Sequence, residues 1–163
     1  MNLPEPQAPG QRGADFDLRA YLLGPSQAAR WAVERQLLDR TAGTRGTFSG
    51  VVLFSSTDDS GLHLREDGTM RWPTFTGPAS REYLLKPAEQ RDAMDVFFAD
   101  GRPFHRMSFT PETNLDNHWC DPDTYRVAYA LEGPDRFSYT WDVRGPSKDL
   151  LLSSTLNRLG SKP

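Results

Sequence analysis

The chain has 163 residues, a formal net charge of −3 at pH 7 and an isoelectric point of about 5.6, which suits a single domain and argues against a nucleic-acid partner. Its apolar runs are far shorter than a membrane span, and its N-terminus lacks the basic and apolar segments of a secretory signal. A single Cys cannot form an internal disulfide, so we expect a cytoplasmic protein that does not act at membranes.

The first residues are predicted to form a leader outside the folded domain. Residues 1–15 contain several Pro and Gly residues and almost no apolar side chain, a composition typical of disordered segments. We therefore predict a disordered leader over residues 1–20 and a single domain over residues 21–160.

A helix is predicted to open the domain. Ser26 suits its N-cap, and Gly43 suits its C-terminal end. Between them Ala29, Val33 and Leu37 recur every four residues, which is typical of one face of a helix. We expect this helix to flank or close one end of the domain.

Beyond residue 44 the apolar residues recur at every second position, the pattern of strands with one buried face. Phe137, Tyr139, Trp141 and Val143 show this alternation, and Asp67-Gly68 is a turn signal. Strands are predicted at residues 45–56, 61–66, 69–75, 79–86, 92–98, 102–109, 116–121, 123–132, 135–143 and 147–157. Eight to ten short strands favour an all-β, antiparallel barrel without exposed edges. A barrel of this size can hold one small ligand.

Spaced sequence blocks support this fold through a family resemblance. The blocks are R-W-A-V-E-R (30–35), G-T-F-S-G (46–50), E-D-G-T-M (66–70), S-R-E-Y (80–83), F-F-A-D-G-R-P-F-H (97–105), H-W-C-D-P-D-T-Y (118–125), W-D-V-R-G-P-S-K-D (141–149) and T-L-N-R (155–158). Over residues 21–159 the chain resembles a bacterial and fungal family of unknown function whose members are assigned a calycin-like barrel. The resemblance implies a lipocalin-like ligand cavity but no reaction. It also implies that Trp31 packs under Arg158, as a calycin Trp often does under an Arg of the last strand.

The block at residues 118–125 concentrates chemically active side chains. His118 and Cys120 share a strand face and could bind a metal, but no C-x-x-C or H-x-x-x-H spacing completes a zinc site. Cys120 as a nucleophile would need a base close by, and His118 would lie roughly 6–7 Å away along a strand. We therefore predict neither a metal site nor a nucleophile here.

Acid–base chemistry is the other interpretation of this block. His118 and Asp123, with His105 from a neighbouring strand, could hold a proton donor and acceptor inside a dry barrel. The simpler alternative makes Asp121-Pro122-Asp123 a turn, and makes His105 a hydrogen-bonded core residue. Both alternatives stay open on the sequence alone.

The candidate site residues follow from polar and aromatic positions on otherwise apolar strands. The predicted catalytic residues are His105, His118, Asp123 and Tyr125. The predicted ligand-binding residues are Arg81, Tyr83, Trp72, Cys120, Trp141 and Lys148. Lys148 follows a Gly-Pro turn at the barrel rim, where it either meets an anionic ligand or forms a weak surface ion pair.

Three hypotheses for function follow from this fold, which does not fix function by itself. The first is a cofactor-free cyclase, isomerase or dehydratase acting on a small hydrophobic or aromatic molecule in specialised metabolism. The second is a non-catalytic carrier or sensor of a lipid-like or aromatic ligand. The third is a haem or metal binder with His105 or His118 as the axial ligand. No nucleotide, flavin or zinc motif occurs in the chain, so we expect no cofactor, and a homodimer is compatible with the pattern.

Overall fold

The structure, a computed structural model, describes residues 16–111 and 113–160. These residues form one helix, α1 (Leu18–Leu23), and ten strands. The strands are β1 (Ala28–Asp39), β2 (Thr44–Ser56), β3 (Leu62–Trp72), β4 (Phe75–Pro87), β5 (Ala93–Phe98), β6 (Pro103–Ser108), β7 (Leu115–Cys120), β8 (Asp123–Gly133), β9 (Arg136–Arg144) and β10 (Asp149–Arg158). The predicted all-β class with one N-terminal helix is confirmed, although the helix lies at another position than predicted.

The ten strands form one antiparallel sheet that curls into a nearly closed barrel. Its strand order is β6-β5-β4-β3-β2-β1-β10-β9-β8-β7. The first strand, β1, therefore pairs with the last strand, β10. The sheet edges β6 and β7 meet at a seam, where the backbone N–H of Arg106 donates to Asp116 Oδ2 at 2.6 Å. Such curling leaves few free strand edges, as the sequence pattern predicted.

The helix predicted between Ser26 and Gly43 is wrong, because this segment is the long strand β1 and the hairpin turn after it. Residues four apart share a face in a strand as well as in a helix, so Ala29, Val33 and Leu37 fit both structures. The actual helix α1 lies earlier in the chain. Its N-cap is Asp17, whose side chain accepts from the backbone N–H of Ala20 at 3.0 Å.

Helix α1 closes one end of the barrel, which we call the helix end. Leu18 and Leu22 are fully buried there, and the Leu18 N–H donates to the Arg91 carbonyl at 2.8 Å. Of the predicted leader, residues 1–15 lie outside the described residues and Leu18 to Ala20 belong to α1. No helix in the described ranges is long and apolar enough to cross a membrane.

The predicted turn at Asp67-Gly68 is also wrong, and the strands predicted at 61–66 and 69–75 are the single strand β3. Gly68 lies opposite Gly50 of β2 in the ladder. A Cβ on Gly68 would sit 2.3 Å from the Ser49 carbonyl oxygen, so glycine here permits close strand approach rather than a turn. The chain turns instead after Trp72, at the opposite end of the barrel, which we call the distal end.

Trp31 and Arg158 form the pair that the resemblance implied. The Trp31 ring is fully buried, and the Arg158 guanidinium carbon lies 4.3 Å from its centroid. Trp31 Nε1 donates to the Leu22 carbonyl at 2.9 Å, while Arg158 Nη2 donates to the Tyr21 carbonyl at 2.7 Å. The pair therefore fastens α1 to the first and last strands, and its role is structural.

Candidate ligand-binding site

The barrel encloses a small cavity beneath the distal end. Its lining consists of Val52, Phe54, Leu64, Glu66, Arg81, Tyr83, Leu85, Val96, His105, Met107, Tyr129, Phe137, Tyr139, Trp141 and Leu156. The cavity has a volume of about 40 Å³, and a cavity needs roughly 10–15 Å³ to hold one water. The cavity thus holds only a few waters in this conformation, and its wall is mainly aromatic and aliphatic.

A buried ion pair crosses the interior next to this cavity. Arg35 donates to both carboxylate oxygens of Glu66, at 2.8 and 2.7 Å, and each residue exposes only 2% of its surface. Burial by itself raises the pKa of Glu66, but the hydrogen bonds from Arg35 and the charge of Arg81 outweigh it and hold that pKa below its usual value. Glu66 is therefore ionised at neutral pH.

Strand register brings the polar partners of this ion pair together from facing walls of the barrel. Arg35 lies opposite Ser154, and Ser154 lies opposite Tyr139. Glu66 lies opposite Arg81 in the adjacent ladder. Arg35 Nε donates to Ser154 Oγ at 2.6 Å. The Tyr139 hydroxyl accepts from Arg35 Nη2 at 2.7 Å and from Arg81 Nη2 at 2.8 Å. Two guanidinium groups thus share one carboxylate and one phenol.

Two donors at the cavity wall lack an acceptor. Arg81 Nε and Trp141 Nε1 are buried and have no hydrogen-bond partner among the described residues. Arg81 Nε lies 2.9 Å from Glu66 Oε1, but this contact does not have hydrogen-bond geometry. The Arg81 guanidinium carbon lies 4.4 Å from the Trp141 centroid, so both donors belong to one contact pair. Buried donors of this kind are rare in native proteins.

His105 lies in the same wall and is 6% exposed. Its ring packs edge-on against Phe104 and lies 5.8 Å from the Tyr129 centroid, and its Nδ1 is 3.3 Å from the Arg106 carbonyl oxygen. Burial lowers the pKa of His105 to about 4. The side chain is therefore neutral at pH 7, and donation from Nδ1 to the carbonyl leaves Nε2 as an acceptor.

A layer of aromatic rings lies between the cavity and the distal end. Phe98 and Phe104 stack at 4.4 Å with their planes 13° apart. His118 and Tyr125 pack edge-on against Phe104, at 5.2 and 5.4 Å. Burial lowers the pKa of His118. His118 and Tyr125 thus border the aromatic layer above the cavity rather than the cavity itself.

The remaining residues of the block 118–125 form a hairpin at the distal rim. Cys120 pairs with Asp123 across the turn Asp121-Pro122, so the turn interpretation of this block is confirmed. Lys148 Nζ lies 3.3 Å from Asp123 Oδ2, and hydrogen bonding to Asp123 raises the pKa of Lys148. The described residues contain no group of three His, Cys, Asp or Glu side chains that could hold a metal.

The predicted site residues therefore divide into three groups. Arg81, Tyr83, His105 and Trp141 line the cavity. His118, Tyr125, Asp123, Cys120 and Lys148 lie between the cavity and the distal rim. Trp72 does not line the cavity; its indole covers Gly46, where a Cβ would lie 2.7 Å from the ring. The roles assigned to these side chains stay predictions.

The polar cluster of Arg35, Glu66, Ser154 and Tyr139 is absent from the predicted site residues. Arg35 falls in the predicted helix, and Glu66 falls at the end of the predicted strand 61–66. The alternation Trp31, Val33, Arg35, Leu37 was the available signal, because it puts one charged residue on an otherwise apolar strand face.

Acid should destabilise the barrel through His105. Its folded-state pKa of about 4 lies below its usual value of 6.5, so the unfolded chain binds a proton more readily between these values. The contribution of neutral His105 to the free energy of unfolding is fully present above pH 6.5. It is lost as the pH falls towards 4, by up to about 3 kcal/mol. Urea unfolding of wild type and His105→Gln at pH 7.5 to 4.5 measures it. As the pH falls, wild type should lose more unfolding free energy than His105→Gln. Parallel losses in the two proteins would contradict the lowered pKa of His105.

Comparison with known proteins bears on the fold. A family model described as "Family of unknown function (DUF6314)" matches residues 28–158, and no curated protein matches the chain. The S-type phycobiliprotein lyase CPES from Guillardia theta aligns over 96% of this chain and 100% of its own, at 11% identity and a TM-score of 0.63. The redesigned β-barrel mFAP1 bound to DFHBI aligns over 88% and 100%, at 13% identity and a TM-score of 0.47. The likeness to the lyase shows a shared barrel fold.

Proposed function

Because the chain belongs to the DUF6314 family of unknown function, its own residues have to indicate its activity, and we propose that the barrel binds one small hydrophobic or aromatic molecule. The observation that carries the proposal is the aromatic cavity with polar groups converging on one wall. Tyr83, Tyr129 and Trp141 line that cavity together with Arg81. Small-molecule sites typically combine such an apolar wall with a few placed polar groups.

Ligand entry requires movement of the distal aromatic layer. The cavity of about 40 Å³ is too small for an aromatic molecule, so side chains must be displaced as the ligand enters. Phe98 and Phe104 are suited to this because Phe rings are held by packing alone, without hydrogen bonds. A ligand ring can replace the stacking that these two rings make with each other.

Filling the cavity should weaken the binding of a neutral aromatic dye. Val52 is 1% exposed and lines the cavity, whereas Val51, next to it on β2, points to the outer face. Fluorescence titration with N-phenyl-1-naphthylamine should show saturable binding to wild type and Val51→Phe. Val52→Phe should bind at least about tenfold more weakly, because the added ring occupies the cavity at a strain cost of about 1–3 kcal/mol.

The two variants also define the result that would contradict the proposal. Circular dichroism establishes that both are folded before the titration is compared. Equal dye affinity in Val51→Phe and Val52→Phe would place the dye on the surface, and absence of saturable binding to wild type would exclude an accessible cavity.

Catalysis on the bound molecule is the second candidate, and the position of His105 favours it. A neutral imidazole with a free Nε2 at the cavity wall can accept a proton from a ligand, which suits a cofactor-free cyclase, isomerase or dehydratase. Mass spectrometry of compounds extracted from wild type and His105→Gln provides the test. Wild type should carry product and the variant unreacted substrate, whereas the same compound in both would leave binding alone.

A further inference from the structure

The charged side chains beside the cavity carry one more positive than negative charge. Arg35 and Arg81 contribute two positive charges, and Glu66 contributes one negative charge. His105 adds no charge at neutral pH, and Asp123 and Lys148 neutralise each other at the distal rim. An uncompensated charge within an apolar barrel is costly, so this interior favours an added anion.

Of the two guanidinium groups that share Glu66, Arg81 makes the weaker hydrogen bonds to it. Both oxygens of Glu66 accept hydrogen bonds from Arg35, at 2.8 and 2.7 Å, so Arg35 is the main hydrogen-bond partner of this carboxylate. Arg81 Nη2 lies 3.4 Å from Glu66 Oε2, and Arg81 Nε lies 2.9 Å from Glu66 Oε1 but makes no hydrogen bond of good geometry with any described residue. Trp141 Nε1, whose neighbour is the Tyr129 side chain, likewise makes no hydrogen bond of good geometry among the described residues. A ligand that enters the cavity could supply an acceptor to each donor.

We propose that the ligand is a small aromatic or aliphatic monocarboxylate whose carboxylate accepts hydrogen bonds from Arg81 and Trp141. This inference rests on the proposed function and specifies its ligand class. A single negative charge balances the interior, whereas a phosphate of charge near −2 would overcompensate it. A planar carboxylate also matches the guanidinium fork, and the ligand body lies among the cavity aromatics.

A matched pair of competitors tests the charge preference. 2-Naphthoate and 2-naphthamide share one ring system and differ in charge, and each is used to displace N-phenyl-1-naphthylamine from the full chain. In wild type, naphthoate should displace the dye at a concentration about 10- to 100-fold lower than naphthamide, because hydrogen bonds to an ionised group are the stronger ones. Equal displacement would overturn the monocarboxylate inference.

Variants of Arg81 and Trp141 test whether these two donors cause the preference for naphthoate over naphthamide. Arg81→Met should abolish the difference between the competitors, and Trp141→Phe should reduce it without changing the net charge. The matched control is Arg136→Met, since the Arg136 side chain is 56% exposed and its loss should leave the difference intact. An undiminished naphthoate preference in both Arg81→Met and Trp141→Phe would overturn the assignment. If Arg81→Met does not fold, Arg81→Lys replaces it as the variant that lacks Nε.

The same titration distinguishes failure of the monocarboxylate inference from failure of the proposed ligand-binding function. Dye binding with equal competition by both naphthalenes retains a ligand-binding barrel and removes its anionic specificity. Absence of dye binding to wild type removes the proposed function and the ligand class together.

Discussion

Replacing Glu66 by Gln should lower the free energy of unfolding by about 3–5 kcal/mol, the typical cost of removing one partner from a buried ion pair. Arg35 and Glu66 are each only 2% exposed. Without the carboxylate, Arg35 and Arg81 are like charges in an apolar interior, with Tyr139 as their shared uncharged acceptor. Urea-induced unfolding at pH 7, followed by circular dichroism, measures the change.

An exposed carboxylate provides the control for this variant. Glu82 forms an ion pair with Arg65 and a hydrogen bond with His63 on the outer face of the barrel, and surface pairs contribute less than about 1 kcal/mol. Glu82→Gln should therefore change the stability little. The double variant Arg35→Met/Glu66→Leu should be more stable than Glu66→Gln, because it removes the unpaired charge at Arg35. Similar losses for Glu66→Gln and Glu82→Gln would contradict the buried-pair assignment.

Replacing Trp31 by Ala should cost about 3–5 kcal/mol of unfolding free energy. The ring is fully buried, packs edge-on against Phe137 at 5.0 Å and donates to the Leu22 carbonyl. Its loss would leave a cavity beneath Arg158 and release α1 from the barrel end. Chemical denaturation gives the magnitude, and hydrogen exchange at α1 should rise more than at the central strands.

Trp119 provides the matched control, since it is also a Trp on a strand but is 64% exposed. Trp119→Ala should change stability by no more than about 0.5 kcal/mol, as is usual for surface positions. Unchanged exchange at α1 in Trp31→Ala would show that the helix does not depend on this ring. Equal losses of stability for the two Trp variants would show that burial of Trp31 is not the stabilising factor.

The strands were predictable because burial of one sheet face imposes a period of two on the sequence. Strands β8 and β9 lie within one residue of their predicted bounds at each end, and Phe137, Trp141 and Val143 are buried as the alternation requires. The pattern in β1 also predicts a helix, because its apolar residues at every fourth position fit both periods. Trp31 does not fit the apolar face of that helix and indicates a strand. Charged Arg35 lies on the same strand face and interrupts its apolar alternation.

The site was predictable only in part because side chains from distant strands meet there. Arg81, His105 and Trp141 stood out as polar or aromatic residues on apolar strands, and all three line the cavity. Trp72 fits the same description but covers Gly46 near the distal end. Face alternation indicates which residues share one face of a strand. It does not indicate which face lines the cavity or how far along the barrel each residue lies.

By itself the sequence determined the all-β class and most strand positions, because both depend on the local pattern of apolar and polar side chains. Only the tertiary structure decided that Arg35, Glu66, Arg81 and Tyr139 form one buried cluster. Arg35 and Tyr139 are 104 residues apart in the chain and meet through the ladders of β1, β10 and β9. Those ladders set the register, and curling of the sheet brings Arg81 of β4 against Tyr139 of β9.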